Sequence, residues 1–128
     1  MADRYLAILE TAYRATLEEQ DDPVIWLSHA LRGAGADIHL LLRGAAVNYG
    51  VRGQDASGLS FGKRAQTQPP RLEQDLTTLL AKGGDVYYVQ DDAVARGLRK
   101  DELIEGLKPV SNADLPQLFG NFREVWHW

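Results

Sequence analysis

Gly84-Asp85-Val86-Tyr87-Tyr88-Val89-Gln90-Asp91-Asp92-Ala93-Val94-Ala95-Arg96-Gly97 is the stretch that decides the fold. A short apolar run, Val86 to Val89, stops at three polar residues, and a helix-like turn then runs to a glycine. A buried parallel strand has this character, being apolar on both faces and carrying polar groups to its carboxyl end. Ligands and chemistry in open α/β sheets gather at that end, so Gln90, Asp91 and Asp92 become the first candidate site. One of the two aspartates is expected as the N-cap of a helix from Ala93 to Arg96.

Upstream, Pro69-Pro70 open a helix whose core face is Leu72, Leu76, Leu79 and Leu80, and Gly83-Gly84 end it. Before it, Arg52 to Pro70 forms a long segment rich in Gly, Ser, Gln and charge. Loops of that length in compact domains are functional, disordered or used in assembly. Leu59 and Phe61 within it need burial, and a neighbouring subunit is a natural cover. Asp37 to Leu42 reads as another buried strand, turned by Arg43-Gly44 into a short helix from Ala45 to Tyr49. Asp22-Pro23 starts the helix ahead of it, the carboxylate capping free amides and the proline suiting the first position. Tyr5 to Leu9 is the first strand, and Thr11 to Asp22 a polar connection with room for an early helical turn.

Downstream, Leu107 to Val110 is a strand that Pro109 confines to a sheet edge. Ser111, Asn112 and Asp114 cap a last helix containing Leu115, Leu118 and Phe119. Val125 to Trp128 is a final strand, with Trp126 and Trp128 on one of its faces. Strands and helices alternate throughout, which predicts a single α/β domain over residues 1–128, a three-layer α/β/α sandwich around a mainly parallel sheet.

The 128 residues carry a formal net charge of -4, unlike the basic excess of general nucleic-acid binders. There is no cysteine, so thiolate chemistry is impossible on this chain. No apolar run approaches the ~20 residues of a membrane span, and the first residues lack the form of a signal peptide, so a cytoplasmic protein is expected. Gly33-Ala34-Gly35 ends a helix instead of opening one, so it is no dinucleotide fingerprint. His29, His39 and His127 match no metal-ligand spacing, and the serines lack a nucleophile elbow. No cofactor or metal is therefore expected.

Glu10 and Arg43, at the tips of the first two strands, extend the candidate rim, as does Asn48. The rim set is then Glu10, Arg43, Asn48, Gln90, Asp91 and Asp92. The interface set is Leu59, Phe61, Trp126 and Trp128; the two tryptophans read equally as core packing or, if exposed on a terminal edge strand, as a contact surface.

Leu40-Leu41-Leu42-Arg43-Gly44-Ala45-Ala46-Val47, Gly83-Gly84-Asp85-Val86-Tyr87-Tyr88-Val89, Ala95-Arg96-Gly97-Leu98 and Glu102-Leu103-Ile104-Glu105-Gly106-Leu107 together resemble the DsrE/DsrF-like family. The resemblance implies a five-stranded parallel sheet, assembly into trimers or hexamers, and a cytoplasmic setting in sulfur relay. The family's active cysteine lies four residues ahead of the arginine in Arg-Gly; the matching position here is Asp92. A carboxylate cannot carry a persulfide, so cysteine-dependent sulfur transfer does not carry over. Two functions follow: a non-catalytic oligomeric binding or partner protein, or a small-ligand binder or enzyme using the polar rim.

Overall fold

The computed structural model describes residues 3–13 and 22–128. Strands β1 (Arg4–Leu9), β2 (Asp37–Leu42), β5 (Val86–Val89), β6 (Lys108–Val110) and β7 (Glu124–His127) form one sheet in the order β6-β5-β2-β1-β7. Every pairing in it is parallel, as continuous apolar runs buried on both faces require. A two-stranded antiparallel hairpin, β3 (Ser60–Phe61) with β4 (Arg64–Ala65), sits within the long Arg52–Pro70 segment.

Two cores flank the sheet. On one face Ala7, Leu9, Ile38, Leu40, Leu42, Val86 and Tyr88 pack against α1 (Pro23–Gly33), α2 (Leu72–Ala81), α3 (Gln90–Ala95) and a 3-10 helix, Gly44–Gly50. On the other, Leu6, Ile8, Leu41 and Val89 are covered by Leu115 of α4 (Leu115–Phe119) and by Phe122. The strand order explains the imbalance. Connections β1 to β2 to β5 to β6 all progress one way and, being right-handed, lie on one face; only β6 to β7 returns across the other.

Asp22 caps α1 as its sequence suggests, Oδ1 accepting the N–H groups of Val24 and Ile25 at 2.9 and 3.2 Å. Its other oxygen accepts the Tyr49 hydroxyl at 2.6 Å, and the carboxylate is fully buried. The helical turn considered for Thr11 to Asp22 falls largely on residues 14–21, outside the described residues.

Several boundaries move. The helix expected at Ala93–Arg96 begins at Gln90, so the three polar residues after β5 form its first turn. Neither Asp91 nor Asp92 caps it; the cap position is Val89, with no side-chain bond. A strand running straight into a helix leaves no loop residue free to cap. Ser111 caps the 3-10 turn Asn112–Asp114 and not α4 itself, its Oγ accepting the Asp114 N–H at 3.3 Å. β6 starts at Lys108 and β7 covers Glu124 to His127, each one residue away from the sequence reading.

Candidate functional site

The rim residues are divided among separate interactions. Asp92 Oδ2 accepts the backbone N–H of Gly44 at 2.8 Å. Asp91 Oδ2 accepts the N–H of Asn112 at 2.6 Å. Each aspartate thus binds a free amide at the start of a neighbouring short helix, the function of a cap supplied from another element. Glu10 Oε1 lies 3.4 Å from Arg43 Nε and 3.1 Å from His127 Nε2. Asn48 turns back into its own helix, Nδ2 donating to the Ala45 carbonyl at 3.0 Å, and Gln90 is exposed. Glu10, Arg43 and His127 therefore come together, while Asp91 and Asp92 reach in different directions and Asn48 stays local.

The interface candidates fall on two surfaces. Leu59 and Phe61 are exposed on and beside the β3–β4 hairpin. Trp126 stacks on Tyr5 with ring centroids 5.4 Å apart, and Trp128 meets Trp126 edge-on at 6.5 Å. With Leu27 and Leu31 of α1, and with Val125 and His127, they line a groove of about 620 Å³. Trp128 remains 44% exposed.

The groove adjoins an open sheet edge. Trp128 N–H donates to the Ile8 carbonyl at 3.1 Å, so by strand alternation the amides of Val125 and His127 face away from β1. The opposite edge is β6, where Pro109 supplies no N–H. One edge is thus blunted by proline, and the other offers backbone groups beside two tryptophans.

A polar cluster at the amino ends of the strands escapes the sequence reading. His39 is buried; its Nδ1 accepts the Asp85 N–H at 2.8 Å, and its Nε2 lies 2.8 Å from Asp37 Oδ1. Accepting at Nδ1 leaves the proton on Nε2, facing Asp37. Arg32 Nη2 donates to Asp37 Oδ1 at 2.9 Å and to the Ile38 carbonyl at 2.7 Å. Arg4 approaches Asp37 and Asp85 at 3.7 and 3.6 Å, and Lys108 Nζ lies 2.9 Å from Asp85 Oδ1.

Burial holds the His39 pKa below the usual histidine value, outweighing the attraction of Asp37. Asp37 is also lowered. Burial alone would raise it, but the hydrogen bond from Arg32, with the charges of His39 and Arg32, prevails. Asp85 is lowered likewise: burial opposes, and the hydrogen bond and charge of Lys108 prevail. The charged residues that open β1, β2 and β6 are visible in the sequence, but only the parallel register sets Arg4 beside Asp37.

Among the described residues no group of three or more histidine, cysteine or acidic side chains is placed to hold a metal ion. Nor does any helix of the described residues have the length and apolarity to cross a membrane.

Among solved structures, the chain is similar to the ychN protein from E. coli, with a TM-score of 0.75 and 21% identity over 99% of this chain and 100% of that one. It is also similar to MTH1491 from Methanobacterium thermoautotrophicum, a protein of unknown function, with a TM-score of 0.60 and 15% identity over 98% of this chain and 99% of that one. At such identities the likeness shows the shared fold. No family model and no curated protein sequence matches the chain.

Proposed function

We propose that this chain is a DsrE-like protein without the sulfur-carrier cysteine, acting in the cytoplasm as a non-catalytic oligomeric binding or partner subunit related to sulfur metabolism. The observation that carries the reading is Asp92. It occupies the position matched to the family's cysteine, and its carboxylate is bonded to the Gly44 amide instead of being presented to a substrate. Asp91 is engaged in the same way with Asn112. The rim that relays sulfur in the family is here tied into the fold.

What the chain does offer is surface. The open β7 edge, the groove beside it and the exposed Trp128 suit contact with a further subunit, because aromatics concentrate at interfaces and free strand edges recruit strands. Phe61 and Leu59 give a second apolar patch. The alternative, a small-ligand site or enzyme at the rim, has less support: Glu10 is matched by Arg43 and His127, and Asp91 and Asp92 are spent on backbone amides.

Sedimentation velocity tests the proposal. A species larger than the 14.2 kDa protomer is expected, with trimer or hexamer the masses to look for. A protomer that stays monomeric at high concentration would refute assembly. Incubation with a persulfide donor should leave the chain unmodified, and specific loading would overturn the non-catalytic reading.

A further inference from the structure

On the face of the sheet that carries α2, a cavity of about 470 Å³ lies beside the β6 edge. Its wall includes Tyr88, Arg52, Lys100, Leu103, Ile104 and Leu107, with Gly106 also bordering it. The volume falls in the ~300–1,000 Å³ range of small-molecule sites. Tyr88 is only 4% exposed, its ring packed in the core. Its hydroxyl makes no hydrogen bond to another described residue and is not sealed from solvent, so it is open to the cavity it borders. The exposed remainder of this side chain borders the cavity, and burial raises the phenol's pKa, so it stays a donor at neutral pH.

The surrounding wall is held by backbone. Val51 bridges to Leu103, Arg52 N–H donates to the Glu102 carbonyl at 2.9 Å, and Ile104 N–H donates to the Gly50 carbonyl at 2.8 Å. Gly106 sits at φ +99, where its missing side chain leaves Leu80 Cδ1 only 3.3 Å from an added Cβ. Charge in the wall is unevenly committed. Asp101 is held by Arg99 at 3.2 Å, whereas Arg52 and Lys100 join no ion pair among the described residues. Glu105 is a further acidic member of the wall.

We propose that this cavity binds a small organic carboxylate, its anionic head held by Arg52, Lys100 and the Tyr88 hydroxyl and its apolar part lying on Leu103, Ile104 and Leu107. A guanidinium fork matches a carboxylate, an ammonium adds a second charge, and the tyrosine O–H exchanges water for a charged acceptor. Glu105 repels a dianion and so favours a single carboxylate with an aliphatic or aromatic body.

Calorimetric titration of the full chain, in whatever assembly it forms, with hexanoate as probe tests this. Hexanol and hexylammonium are the comparison ligands, and methyl-labelled NMR locates the site. Saturable binding of hexanoate is expected, with shifts at Leu103, Ile104 and Leu107. Tyr88→Phe and Arg52→Gln should each weaken it about tenfold, the size of a hydrogen bond to a charged group. Tyr88→Phe removes a hydroxyl that bonds no other described residue and leaves the packed ring, so that variant folds. Equal binding of hexanol or hexylammonium would reduce the site to a greasy or acidic patch and overturn the proposal. So would the absence of saturable hexanoate binding, or binding that both variants leave unchanged.

Discussion

Asp92 Oδ2 accepts the backbone N–H of Gly44 at 2.8 Å, joining the first turn of α3 to the start of the 3-10 helix that follows β2. Arg43, the cap residue of that 3-10 helix, supplies no side-chain bond of its own. Gly44 has φ +55, a backbone conformation that a glycine tolerates and that an aspartate in trans helps to hold. Asp92 thereby caps the exit of the neighbouring strand.

Asp92→Ala should therefore cost stability, about 1–2 kcal/mol, the usual loss for a cap bonded to a carboxylate. Asp92→Asn keeps a neutral acceptor and should lose about half as much. Asp92→Cys should behave like the alanine variant, because a thiol is a weak acceptor. Urea unfolding midpoints of the three variants against the parent chain check the order. An alanine variant as stable as the parent would show that the bond contributes nothing.

Much of the fold is legible in the sequence alone. Apolar runs at Val86–Val89 and Asp37–Leu42 can be little but buried strands, and Pro109 places its own strand at an edge. The cap at Asp22 follows from the proline beside it. The partners of Asp91 and Asp92 did not follow, because they are backbone amides 21 and 48 residues away, and a helix dipeptide carries no mark of them. The buried His39 cluster was missed for a related reason. Its members come from the opening residues of β1, β2 and β6, from Asp85 just before β5 and from Arg32 of α1, and only the folded register brings them together. Periodicity within one strand says which face a side chain takes; it does not name its neighbour on the next strand.

Asp22 ties α1 to the 3-10 helix Gly44–Gly50, capping the first while accepting the Tyr49 hydroxyl of the second at 2.6 Å, all out of contact with solvent. Asp22→Ala should cost about 2–4 kcal/mol, combining a lost cap with the lost bond from the buried Tyr49 hydroxyl. Tyr49→Phe removes only one side of the bond and should cost about 1–2 kcal/mol. Because the two share one interaction, the double variant should be less destabilised than the sum, and a double-mutant cycle by chemical denaturation measures the coupling. Strict additivity would show that the two residues do not interact.

The pH dependence of stability has two parts with the same sign. His39 titrates below its ordinary 6.5 in the folded chain, so the unfolded state takes the proton first. Stability from this residue is complete above pH 6.5 and falls as pH drops from there through the lower folded value. Asp37 and Asp85 are likewise lowered, so their contribution is complete above their ordinary 3.8 and is lost as pH falls through their folded values. Unfolding midpoints should therefore decline below pH 6.5 and decline again below pH 4, with no loss from these groups toward pH 8 (thresholds being about those of the unperturbed side chains). In His39→Asn, whose amide oxygen can replace Nδ1 as acceptor for the Asp85 N–H, the first decline should flatten while the second persists. An NMR titration placing the His39 midpoint above 6.5 would contradict the assignment.

Trp126 and Trp128 touch each other, but they separate fold from assembly. Trp126 stacks on Tyr5 and is partly enclosed, so Trp126→Ala removes packing from the β1–β7 pair and should destabilise the protomer by about 2–4 kcal/mol. Trp128 is 44% exposed at the open edge, so Trp128→Ser should leave the unfolding midpoint within about 1 kcal/mol of the parent. If the groove is the contact between subunits, the same Trp128→Ser change should weaken association at least about tenfold, as loss of an interface aromatic does. Sedimentation velocity across a dilution series, read beside the urea midpoints, distinguishes the two effects. Unaltered association in a correctly folded Trp128→Ser chain would move the interface away from β7, toward the patch of Leu59 and Phe61 on the hairpin.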